Sequence, residues 1–68
     1  MNFKGKTALV TGAAVGIGRA AALVFAERGA NLVLVDMNYE KLNDVKKETE
    51  KLGADTLIYQ CDVSDEEN

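Results

Sequence analysis

Thr7-Ala8-Leu9-Val10-Thr11-Gly12-Ala13-Ala14-Val15-Gly16-Ile17-Gly18 runs from an apolar stretch into a turn that carries three glycines. Thr7–Thr11 reads as a short buried strand bounded by Gly5 and Gly12. Gly12 can adopt positive φ, and the absence of a side chain lets the main chain approach a ligand closely. Gly16 or Gly18 then opens a helix whose unpaired N–H groups and positive dipole end would face an anion. Residues 11–18 are therefore expected to lie against a phosphate.

Outward from this turn, the helix runs to about Arg28, where Gly29 sits as its C′ stop. Asn31–Asp36 is a second strand, with Leu32-Val33-Leu34-Val35 as four consecutive aliphatic residues. Asn38 is placed to cap a second helix that ends near Gly53. Within it Leu42, Val45, Thr49 and Leu52 recur at steps of three and four and share one face. Lys41, Asp44, Lys47, Glu48 and Lys51 fall largely on the other, a solvated face. Residues 56–61 form a third strand.

This β-α-β-α-β order implies parallel units with right-handed crossovers. The expected fold is α/β, the N-terminal half of a Rossmann doubly wound parallel sheet in spatial order 3-2-1. Residues 1–68 are expected to be only part of such a domain. Two crossovers moving the same way put both helices on one face, yet strand two is apolar on both faces. Ala20 to Ala26 is likewise apolar nearly all round and fits between two layers. Ser64-Asp65-Glu66-Glu67 has the form of a capping box that announces a third helix. The chain is expected to be the opening third or so of a longer protein, or to need another chain over its sheet.

Composition narrows the function classes. Eight basic against eleven acidic residues give a net charge of −3 with no basic stripe, which disfavours nucleic-acid binding. One cysteine, no histidine and no cluster with metal spacing give no metal site and no internal disulfide. Cys61 reads as a small buried hydrophobe at a strand end. The N-terminus shows no secretory pattern and the longest apolar run is too short to span a bilayer, so a cytoplasmic protein without a membrane partner is expected.

The glycine spacing, Gly12-x-x-x-Gly16-x-Gly18, is not that of a Walker A loop. Gly5-Lys6-Thr7 precedes its strand and leaves no room for that motif's first glycine. Asp36 ends strand two, eighteen positions after Gly18, where a carboxylate can accept from both adenosine ribose hydroxyls. A 2′-phosphate there would meet like charge, and neither Met37 nor Val15 supplies a cation. NAD is therefore expected over NADP. Asp62-Val63 at the end of strand three could receive the adenine, the carboxylate accepting from its amino group.

Together these residues resemble the short-chain dehydrogenase/reductase family. Thr11-Gly12-x-x-x-Gly16-Ile17-Gly18 looks like its cofactor turn, Asp36 like the acid of its NAD-preferring members, and Asp62-Val63 like its adenine-contacting pair. Val15 departs from the small or polar residue frequent at that position. The resemblance assigns cofactor contacts to Gly12, Ala14, Gly16, Ile17, Gly18, Asp36, Asp62 and Val63. It implies reversible hydride transfer between NAD and a small alcohol or carbonyl substrate, and a homo-oligomer. It also implies a catalytic Ser and a Tyr-x-x-x-Lys pair. None is present here: Asn43 lies four after Tyr39, Val63 four after Tyr59, and the only serine is Ser64. The 68 residues alone are expected to be inactive. Two alternatives are a non-catalytic dinucleotide sensor of the same fold and a methyltransferase using S-adenosylmethionine. The wider spacing and Thr11 disfavour the second.

Overall fold

The computed structural model describes residues 2–61. Their order is β1 (Thr7–Thr11), α1 (Gly16–Glu27), β2 (Asn31–Asp36), α2 (Tyr39–Lys51) and β3 (Thr56–Gln60). The strands form one parallel sheet with β2 in the centre, which is the 3-2-1 order read from the sequence. Leu9, Val33 and Leu57 stand in one cross-strand row, and Val10, Leu34 and Ile58 in the next. This is the βαβαβ half of a Rossmann-type fold.

Both helices lie on one face of the sheet: α1 packs on β1 and β2, α2 on β2 and β3, and the two touch each other. The period-two alternation of the strands decides what they cover. Val10, Leu32, Leu34 and Thr56 point into the helix layer and are buried. The row from the opposite pleat does not: Leu9 is 67% exposed and Leu57 59%. On the same face Val35 stands beside Tyr59, and Tyr59 is also exposed. The core between helices and sheet is built from Val10, Ala22, Ala26, Leu32, Leu34, Leu42 and Val45, with the turn residues Ala13 and Ala14 joining it. Alanines on α1 let that helix sit close to the strands, while the larger side chains come from β2 and α2.

A buried polar chain sits among these apolar groups. The Thr49 and Thr56 hydroxyls are 2.8 Å apart, and Thr49 donates to the Lys46 carbonyl at 3.0 Å, so Thr56 is the donor to Thr49. Neither hydroxyl is left unsatisfied, which is the condition for burying them at modest cost.

Two expectations change. Leu52 does not share the buried face of α2. It is the C-cap, with φ −87° and ψ 0°, so the helical period stops one residue before it and its side chain is exposed. Strand three ends at Gln60, and Cys61 is exposed, although its N–H still donates to the Asp36 carbonyl at 2.9 Å. Along helix α1 Ala22 and Ala26 are buried, while Ile17 and Val24 are exposed. Asp62, Val63 and the Ser64 capping box lie outside the described residues. Among the described residues no helix is long and apolar enough to cross a membrane.

Candidate functional site

The turn between β1 and α1 leaves the carboxyl end of β1, an outer strand among the described residues. Gly12 has φ +64° and Gly16 φ +61°, and among the described residues only glycines have positive φ. A β-carbon on either would meet nothing within 4 Å. These two glycines are thus set by backbone conformation and border open space, as a cradle for a ligand requires.

Gly18 is fixed for a different reason. A β-carbon there would come within 2.0 Å of the Gly12 carbonyl oxygen and 2.7 Å of its carbon. The first turn of α1 therefore rests directly on the backbone of the loop, and only hydrogen fits between them. The sequence spacing alone could not separate this requirement from that at Gly12 and Gly16.

Helix α1 begins without a side-chain cap. Val15, its N-cap residue, makes no side-chain hydrogen bond, and no acidic residue occupies the first turn. Helix α2 is built the other way. Asn38 accepts from the Lys41 N–H at 3.0 Å, and Glu40 lies in the first turn. The positive end of α1 thus has no side-chain cap and could receive an anion, whereas that of α2 is capped by Asn38.

Asp36 closes the site from the end of β2. Its Oδ2 accepts from the Ala14 N–H at 3.2 Å and its Oδ1 from the Asn38 N–H at 3.0 Å. The Ala13 N–H donates to the Val35 carbonyl at 3.2 Å. The Asn38 N–H is the largest influence holding the Asp36 carboxyl below the usual aspartate range; partial burial opposes it, and the Ala14 and Met37 N–H groups and the charge of Lys41 reinforce it. Asp36 is therefore an anion at neutral pH. Because a carboxylate offers about four acceptor positions, these two hydrogen bonds leave capacity on both oxygens.

The structure brings Gly12, Ala14, Gly16, Ile17, Gly18 and Asp36 to one end of the sheet, at the carboxyl ends of β1 and β2. Ala14 is buried with its N–H turned to Asp36, while Ile17 is 89% exposed. Side chains that the sequence did not single out also border the turn. Arg19 and Lys41 line a pocket with Ala14, Val15 and Gly16, and Arg19 forms two hydrogen bonds with Glu48 at 3.0 and 2.6 Å. Gln60 Nε2 donates to the Met37 carbonyl at 3.0 Å and steadies the loop after Asp36. Position Arg19 pairs with Glu48 across 29 residues, a contact that no local spacing announces.

A sequence profile for the short chain dehydrogenase family matches residues 6–68. The chain belongs to that family. It is 37% identical over 67 residues to 7alpha-hydroxysteroid dehydrogenase of Escherichia coli (strain K12), covering 98% of this chain and 26% of that protein. The solved structure of NAD⁺-bound xylitol dehydrogenase superimposes with a TM-score of 0.89 at 42% identity, over 94% of this chain and 25% of that one. A metagenomic short-chain oxidoreductase in complex with NADP gives 0.86 at 39% identity, over 91% of this chain and 28% of that one. The chain thus spans about a quarter of the length of the relatives it matches. These two family structures hold different nicotinamide cofactors, so membership alone leaves the choice between them to the residues of the site.

Proposed function

We propose that these residues are the adenosine- and pyrophosphate-binding part of an NAD-dependent short-chain oxidoreductase. The whole protein would transfer hydride between NAD(H) and a small alcohol or carbonyl substrate. Residues 1–68 would form part of its dinucleotide-binding domain, working in the cytoplasm, and within a homo-oligomer as the family resemblance implies.

One observation carries this reading: the Asp36 carboxylate stands beside the open glycine turn and beside the uncapped start of α1. The turn and helix end suit the pyrophosphate. The anion suits a pair of ribose hydroxyls and repels a 2′-phosphate. Of the two cations that border the turn, Arg19 is paired with Glu48 in this structure and Lys41 adds its charge to the field at Asp36. Asp62 and Val63 complete the proposal as the adenine contacts. Bound NAD would supply the hydride-accepting ring, and the residues that handle the substrate's proton would lie elsewhere in the protein.

Isothermal calorimetry on the full-length protein tests this. NAD should bind more tightly than NADP. Asp36→Ala should remove charge-assisted hydrogen bonds worth about 1.5–3 kcal/mol, which weakens NAD ~10- to 100-fold. NADP should lose far less, so the difference narrows. Unchanged selectivity in the variant would count against the role given to Asp36.

A further inference from the structure

We infer that Asp36 is a positioning residue for the glycine turn, holding it in shape before any ribose arrives. This rests on the reading of the turn as a dinucleotide site, and it adds a second duty for the carboxylate.

The grounds are geometric. Oδ2 takes the Ala14 N–H from the loop after β1, and Oδ1 takes the Asn38 N–H from the loop after β2. One side chain thereby ties two loops that are 22 residues apart in sequence. Ala14 is 5% exposed, so its N–H has little access to water and depends on that oxygen. On either side of Ala14 the loop has soft points: Gly12 and Gly16 are both in the left-handed region with open space around them. The neighbouring Ala13 N–H is held by the Val35 carbonyl, the residue before Asp36. The end of β2 thus grips the turn at two consecutive amides, one through backbone and one through the Asp36 side chain. Remove the second grip and, among the described residues, the segment between the two glycines keeps the Ala13 amide as its one hydrogen bond to the end of β2.

The same geometry orients Asp36. Oδ2 accepts the Ala14 N–H and Oδ1 the Asn38 N–H, and a carboxylate so held keeps acceptor positions for a ligand. Turn shape and ribose recognition therefore share one carboxylate.

The test uses the full-length protein and two readouts. The first is amide hydrogen exchange without ligand. Asp36→Ala should speed exchange at Ala14 at least tenfold, with Leu34 in the core unchanged, and Asp36→Asn, which retains one acceptor oxygen, should recover part of the protection. The second is binding of an NAD analogue whose adenosine ribose lacks its 2′ and 3′ hydroxyls. Asp36→Ala should weaken it tenfold, although it cannot bond to Asp36 at all. If Ala14 exchanges at its native rate in Asp36→Ala, or the analogue binds that variant as well as the native protein, the positioning role is overturned, and a loss confined to NAD itself would leave Asp36 a ribose reader only. If the native protein binds no NAD, the dinucleotide reading fails by itself, and the exchange experiment still decides whether Asp36 holds the turn.

Discussion

Replacing Gly18 with alanine sets two known effects against each other. In an exposed helix interior the change would stabilise, because alanine exceeds glycine in helix propensity by ~1 kcal/mol. Here the added β-carbon would lie 2.0 Å from the Gly12 carbonyl oxygen, where real contacts begin at about 3.0 Å. Clearing it requires a movement of about 1 Å, and the obstacle is backbone, not a side chain that can rotate away. Overpacking of this kind costs ~1–3 kcal/mol or somewhat more. The clash outweighs the propensity gain over most of that range, so the net expectation is a loss of up to about 2 kcal/mol. The loss should be unevenly shared. Relief comes from lifting α1 off the loop that would hold the pyrophosphate, so NAD affinity should fall tenfold or more, beyond what global stability alone would cause. Urea denaturation followed by circular dichroism gives the first quantity and calorimetry with NAD the second, both on the full-length protein. A Gly18→Ala variant at least as stable as the native protein, binding NAD within twofold of it, would refute the argument that α1 rests on this turn.

Gly12→Val should abolish NAD binding, since a β-branched residue at φ +64° is strained by ~1–3 kcal/mol and its side chain fills the cradle; calorimetry that finds binding intact would displace the phosphate from this turn. Leu42, fully buried in the first turn of α2, should cost ~2–5 kcal/mol as alanine, read as a lower urea midpoint. In the 68 residues by themselves that loss rivals the ~3–5 kcal/mol that a core of this size supplies, so the isolated variant should be largely unfolded. The Asp36 carboxyl is depressed in the folded state, so its contribution is fully present above the unfolded value of about 3.9 and is lost as pH falls through the lower folded value. Its carbon-13 shift should titrate with a midpoint below that of an ordinary aspartate, and a midpoint at or above the ordinary value would contradict the two amide contacts.

Much of the fold is readable in the chain because its signals are local. Both Thr7–Thr11 and Asn31–Asp36 stand as the apolar runs predict, and Asn38 caps α2 as its side chain and position suggest. Leu42, Val45 and Thr49 are buried in the order their spacing gives. Leu52 follows the same spacing and is exposed, because periodicity says nothing about where the helix ends. Cys61 is exposed for a related reason: it follows the last residue of β3, at the sheet's outer edge, and no other described residue covers it. In the site, the turn and Asp36 are legible as residue types with a spacing. Three features are not: the Asp36 grip on Ala14, the pairing of Arg19 with Glu48, and the seating of Gly18 on Gly12. Each joins groups brought together by tertiary packing, and the glycine pattern looks the same with or without them.

The grip of Asp36 on two loops has a consequence for how cofactor choice can change over generations. A substitution that removes the carboxylate to admit a 2′-phosphate would also release Ala14 and Asn38. Its benefit and its damage would arrive in one step. A lineage moving from one cofactor to the other would gain more if a second acceptor for the Ala14 amide appeared first, and the two changes made together would exceed the sum of each made alone.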